Sequence, residues 1–291
     1  MQQPPSDLPP LPYAPPAPWA PRVPRLDLSS LTRRDAALDL ALVLIVGLLV
    51  PVGFQIWAAL NLASDATADF DFAPIVVNKW FEALSVTALA AYFIYRHNLP
   101  ASAFGLQPAR LGRQLLWSVP TLLSIYTIMI PFVIVTVFFV LTFPETQSDL
   151  QHRVDFIQAL PIHNLLVTVL LLIPVAIHEE LLFRGLLIPY FRRIGLGWVG
   201  AVAFSTLIFA SLHLSQGWIG ALQIIPIGAV LATFFIISRS LTAVIIAHFL
   251  FDLLQTQLAR LFPSDIDDIM RQAGQTGSET ATVLLQLITG N

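Results

Sequence analysis

Two adjacent carboxylates, Glu179 and Glu180, interrupt an apolar run that otherwise has the make-up of a membrane span. His178 precedes them and Arg184 follows, all inside a stretch of Leu, Ile, Val and Phe from Asn164 to Phe191. An ionisable side chain at a bilayer centre costs about 2.5–3.5 kcal/mol or more, so these groups are expected to line a polar cavity and to do chemistry. Two later apolar segments carry His213 and His248, the second together with Asp252. Glu180 and Arg184 are four apart, share a helix face and should pair. Glu179 is rotated about a quarter turn away and stays available as a general base. A structural ion-pair cluster is the plainer alternative. A lone histidine such as His213 on an apolar helix is more often a hydrogen-bonded core residue than a ligand. His248 and Asp252, again four apart, could bind a metal, donate to a developing oxyanion or join two helices. Counted at 1.5 Å per residue from the nearest arginines, Glu179, Glu180, His213 and Asp252 converge at about 20–25 Å of depth, with His248 shallower at about 13 Å.

Taken in order, Glu179-Glu180-x-x-x-Arg184, Phe209-x-x-x-His213 and His248-x-x-x-Asp252 resemble the signature of the CPBP intramembrane proteases, the CAAX-processing and bacteriocin-processing membrane endopeptidases. The resemblance covers residues from about Asn164 to Phe262, with Asp252 where many members have Asn. It implies hydrolysis of peptide bonds within the membrane, Glu179 and His213 activating a water while His248 and Asp252 stabilise the oxyanion or bind metal. Glu180 joins the candidate catalytic set as well as the ion pair with Arg184. Two histidines with carboxylates suit catalytic zinc, with Glu179, His213, His248 and Asp252 as candidate ligands. A glutamate–histidine dyad needs no metal. The zinc motif HExxH is incomplete, because position 182 is Leu rather than His.

The elements that must position these groups are helices. The chain has 291 residues, 56% hydrophobic and 11% charged, against about 25% charged in soluble domains. An all-α, polytopic transmembrane bundle of about seven spans follows: Ala36 to Leu62, Pro74 to Tyr95, Leu115 to Phe143, Asn164 to Phe191, Trp198 to Ser215, Trp218 to Ile237 and Leu241 to Phe262. Pro120 and Pro131 are expected to kink the third. Ten prolines in the first 25 residues predict an extended tail, and no basic start followed by an apolar core marks a signal peptide. The expected organisation is a Pro-rich disordered tail over 1–33, three transmembrane helices over 34–158, a catalytic core over 159–262 and a polar tail over 263–291.

Absence of Cys excludes disulfides, a thiol nucleophile and thiolate metal sites. A net charge of −3 gives no argument for nucleic acid. Arginines at 33/34, 96/110/113, 192/193 and 239 alternate along the chain with acidic loops, which predicts a cytoplasmic N-terminus and an external C-terminal tail; the expected location is the plasma membrane, with the chain multi-pass. The expected partners are the lipid bilayer and a peptide or lipidated protein substrate. A catalytically silent scaffold or immunity-type protein of the same fold is the alternative, although it would have little use for buried charge. An ion-coupled transporter would show repeat symmetry, and none is evident.

Overall fold

The protein is described by a computed structural model over residues 26–54, 56, 72–107, 111–143, 146, 148–149, 160–161 and 163–261. The Pro-rich segment 1–25, the acidic loop residues Asp65, Asp69, Asp71, Glu145 and Asp155, and the C-terminal tail lie outside the described residues.

Lipid offers backbone groups no partner, so each span must satisfy its own hydrogen bonds, and helices do this. Among the described residues there are helices and no strands. We label them α1 (Arg33–Leu44), α2 (Ala73–Arg96), α3 (Leu111–Thr142), α4 (Leu165–Glu180), α5 (Ile188–Ile194), α6 (Trp198–Ser211), α7 (Trp218–Ser238) and α8 (Leu241–Leu261). A π-helical stretch, Leu181–Leu187, joins α4 to α5 in one rod, and a shorter one, Ile45–Leu49, prolongs α1 to Phe54. The described residues thus form a bundle of seven helical rods, five of them long and apolar enough to cross a membrane. The other two are α2, which carries Lys79, Glu82 and Arg96, and α6, which is only 14 residues long. The expected fifth span to Ser215 is therefore too long: the helix stops at Ser211 and His213 sits in the turn beyond it.

Local chemistry sets the ends. Thr32 caps α1 by accepting from the Asp35 amide, and Asn164 caps α4 by accepting from Val167. Asp149 accepts from both Trp218 and Ile219 at 2.8 Å, so a carboxylate from the connection before α4 closes the start of α7. Gly217, at φ +87°, makes this approach possible, since a Cβ there would sit 2.8 Å from the Asp149 carboxylate.

Both π-helical stretches end two residues before a proline, in the matching sequences GLLVP (47–51) and GLLIP (185–189). A helical proline has no N–H for the carbonyl four residues back and crowds it. Widening the helix just upstream accommodates this, and the carbonyl in question belongs to a glycine each time, Gly47 and Gly185. The two stretches also meet, because a Cβ on Gly47 would fall 2.5 Å from Leu182 Cδ1. Helix α3 runs unbroken through Pro120 and Pro131.

The α4–α5 rod occupies the middle of the bundle, packed by α2 and α8 along α4 and by α1 and α6 along α5. Leu182, Leu186, Leu187 and Ile188 are wholly buried there. On the outside, Leu116, Leu123, Ile134 and Phe138 of α3 are exposed, as suits a face covered by lipid. Leu28 and Leu31 are buried and Arg193 donates to the Leu31 carbonyl, so the packed part of the chain starts before the 33/34 boundary expected above.

Candidate active site

Glu180 closes α4 and is fully buried. Its Oε1 accepts from Arg184 Nη1 at 2.8 Å, as the four-residue spacing requires, and from His248 Nδ1 at 2.7 Å. One carboxylate oxygen therefore ties α4 both to the π-helical stretch and to α8. Arg184, also buried, is held on two further sides. Its Nη2 donates to the Gly228 carbonyl at 3.2 Å, and its guanidinium lies over the Phe209 ring, 4.5 Å from the centroid. Gly228 is a matter of space: a Cβ would stand 3.1 Å from Thr206 Cγ2 and 3.2 Å from Phe209 Cδ1. The guanidinium thus exchanges water for a carboxylate, a carbonyl and a π-face, the kind of compensation a buried charge needs.

This clamp orients His248. With Nδ1 facing the Glu180 carboxylate, the ring proton belongs on Nδ1, and Nε2 is turned the other way. Nε2 lies 3.3 Å from Asp252 Oδ2 and 3.7 Å from Glu179 Oε2. Those two carboxylates are partly open, at 26% and 20% side-chain exposure, whereas Glu180 is closed at 0%. The arrangement has a sealed side that holds the imidazole and an accessible side that presents Nε2 between two acceptors. Such a group can place a water beside a carboxylate base and hold a polarised oxygen next to an imidazole nitrogen.

His213 joins the site differently. Its Nδ1 donates to the Phe209 carbonyl at 2.9 Å, which leaves Nε2 as the acceptor of a neutral ring. Its ring packs edge-on to Phe209 at 4.8 Å, and Phe209 packs edge-on to His248 at 6.3 Å. The two histidines therefore flank one aromatic ring. Among the described residues, Glu179, Glu180, Arg184, His248 and Asp252 meet through polar contacts within 4 Å, while His213 makes no ion pair with the glutamates.

No group of three or more His, Asp or Glu side chains among the described residues is placed to hold a metal ion. The donor types at Glu179, His213, His248 and Asp252 suit zinc, and the Nδ1 bond of His248 to Glu180 leaves Nε2 free as a ligand needs, yet His213 stands apart from the other three. The four do not fit as a preassembled zinc site.

Reasoning from sequence passed over several groups. Glu180 has a second partner in His248, and Phe209 supports both Arg184 and the histidines. Asp39 on α1 is buried and joined by His97 Nε2 at 2.7 Å, Tyr190 Oη at 3.2 Å and Arg96 Nη1 at 3.4 Å. An aspartate in an apolar span was the available signal. On α2, the one-turn spacing of Lys79 and Glu82 was visible in the sequence, but not that Glu82 is buried and also bound by Asn78, both partners lying at 2.8 Å.

Comparison with protein families gives one match over residues 161–254, to the family described as type II CAAX prenyl endopeptidase Rce1-like. No curated protein and no solved structure matched the chain. The matched segment runs from just before α4 into α8 and contains Glu179, Glu180, Arg184, His213, His248 and Asp252. Motifs, helical architecture and the match over residues 161–254 together support a likeness of this segment to the CAAX protease family.

Proposed function

We propose that the protein is an intramembrane endopeptidase that cleaves hydrophobic or lipidated, CAAX-type peptide substrates. The observation that carries this reading is the position of His248: Glu180 holds one face of the ring, and the other stands between the accessible carboxylates of Glu179 and Asp252. Glu179 serves as the base. It takes a proton from water as the water oxygen bonds to the carbonyl carbon, and the carbonyl electron pair moves onto oxygen. His248, when protonated, donates from Nε2 to that oxygen. The proton on Glu179 passes to the amide nitrogen as the C–N bond breaks and the carbonyl re-forms, which leaves a carboxylic acid and an amine. His213 is assigned to orienting the water from its place in the motif, its Nδ1 being engaged by the Phe209 carbonyl. No step passes through a metal.

A silent scaffold accounts for the clamp between Glu180 and Arg184 but gives no use to two half-open carboxylates on a shared imidazole. The full-length protein, purified in detergent, should cleave members of a set of farnesylated CAAX peptides and unmodified hydrophobic peptides, and Glu179→Gln should cleave none. Cleavage by Glu179→Gln at the wild-type rate would remove Glu179 as the base, and metal analysis with chelator treatment decides metal dependence. We further propose a cytoplasmic N-terminus, from the arginine pattern, and the plasma membrane as the location. Because the chain has no Cys, single cysteines introduced before α1 and tested with an impermeant thiol reagent give an unambiguous readout of sidedness.

A further inference from the structure

The site is closed on one side and open on the other. Toward Arg192 and Arg193 the rod from Leu181 to Phe191 is buried along its whole length. The connection between α2 and α3 adds a floor there. Phe104 is wholly buried, its ring 6.2 Å from that of Tyr190, and its carbonyl would lie 3.5 Å from a Cβ on Gly185. The Leu241 amide donates to the Gly105 carbonyl at 2.9 Å and pins this floor to the start of α8. Tyr190 in turn donates to Asp39 at 3.2 Å, which ties the rod to α1.

Away from that floor the polar groups continue. Glu179 and Asp252 are the partly open carboxylates, and His213 stands half-buried in the turn after α6. Gln255, three residues past Asp252 and seven past His248, shares their face of α8 and is half-buried. His178 precedes Glu179 on α4, Gln216 follows His213 and Gln257 follows Asp252, so all three lie on this same side. His178 Nε2, Gln216 Oε1 and Gln257 Nε2 are buried there without a hydrogen-bond partner among the described residues. Buried polar atoms that the protein leaves unpaired are ordinarily satisfied by water. The floor, by contrast, is built from the buried side chains of Phe104, Leu186, Leu187, Ile188 and Tyr190. We propose that water and the scissile peptide reach Glu179 from the end of the bundle opposite Arg192 and Arg193, past Gln255 and the turn that carries His213. Arg193 donates to the Leu31 carbonyl, so the residues just before α1 belong to the closed end. With the N-terminus cytoplasmic, the substrates are peptide segments of membrane-anchored proteins exposed on the non-cytoplasmic side. As a route for substrate this rests on the proteolytic reading above; as a route for water it stands without it.

Because the chain has no Cys, single-cysteine reporters test the route directly. Full-length Ser30→Cys, Ser215→Cys and Gln255→Cys proteins, in right-side-out and in inverted membrane vesicles, are treated with a charged, impermeant methanethiosulfonate. Exposed Ser30 reports the closed end, and exposed Ser215, two residues past His213, reports the open one. Gln255→Cys should react in the vesicles that label Ser215→Cys and stay unreacted in those that label Ser30→Cys. Once modified, Gln255→Cys should lose cleavage of a hydrophobic peptide that bears an impermeant sulfonated fluorophore. Wild type should cleave that peptide only when it is supplied on the Ser215 side. Labelling of Gln255→Cys from the Ser30 side, from both sides or from neither would overturn the proposal, as would cleavage of peptide supplied on the Ser30 side. The peptide measurement uses wild type, so it decides the route even where Gln255→Cys does not fold. If wild type cleaves from neither side, the proteolytic reading fails, and labelling of Gln255→Cys from the Ser215 side alone still upholds the route for water.

Discussion

Removing Arg184 should cost far more than removing any catalytic group. Arg184→Ala deletes the 2.8 Å bond to Glu180, the 3.2 Å bond to the Gly228 carbonyl and the stacking on Phe209 at 4.5 Å. Glu180 is 0% exposed, so water cannot replace the lost partner, and only His248 remains against it. Breaking a buried pair from one side costs about 3–5 kcal/mol, and the space opened under Phe209 adds to this. In a chain of this size that corresponds to a fall of roughly 10 °C in melting temperature. The assay is thermal unfolding of the purified variant in one detergent. A second variant isolates the cause: Glu180→Gln with Arg184→Met removes both charges, keeps a carbonyl for His248 Nδ1 and fills the space below Phe209. Replacing both partners should recover most of the loss, to within about 1.5 kcal/mol of wild type, because no charge is left stranded. Arg184→Ala within about 1 kcal/mol of wild type would refute the argument. A double variant less stable than the single one would refute it too, and would point to packing rather than charge.

Glu179→Gln and His213→Ala should each lower cleavage by about 100-fold or more, with melting temperatures near wild type, because neither residue belongs to the sealed clamp. Gly228→Ala should destabilise by about 1–3 kcal/mol through overpacking; adding Thr206→Ser, which removes the methyl 3.1 Å from the new Cβ, should restore part of it in the same unfolding assay. Asp39→Ala strands the buried Tyr190 hydroxyl and takes a partner from His97, and should lower stability by about 1–3 kcal/mol. Since Tyr190 lies about 15 Å along the rod from Glu180 at 1.5 Å per residue, the kcat of the Asp39→Ala protein that remains folded should be unchanged.

Helices and their approximate limits were legible in the chain because lipid leaves a span no other way to satisfy its backbone, and the signal is simply a long apolar run. The Glu180–Arg184 pair and the alignment of His248 with Asp252 were equally legible, since residues four apart must share a helix face whatever surrounds them. His213 was misjudged by two residues of helix, as the turn after Ser211 carries no strong local stop signal. Leu28 and Leu31 fell within the expected tail because two isolated leucines have no periodicity to read, and they are buried in the fold, where Arg193 of α5 holds the Leu31 carbonyl. Only tertiary structure decided that Glu180 reaches a histidine 68 residues away, that Gly228 leaves room for a guanidinium, and that Phe209 stands between both histidines. Spacing along one helix placed Glu179 and Glu180 on different faces, which suggested separate tasks. Yet both address the same imidazole, because its two nitrogens lie on opposite edges of the ring and let one side chain from α8 reach Glu180 with Nδ1 while turning Nε2 toward Glu179.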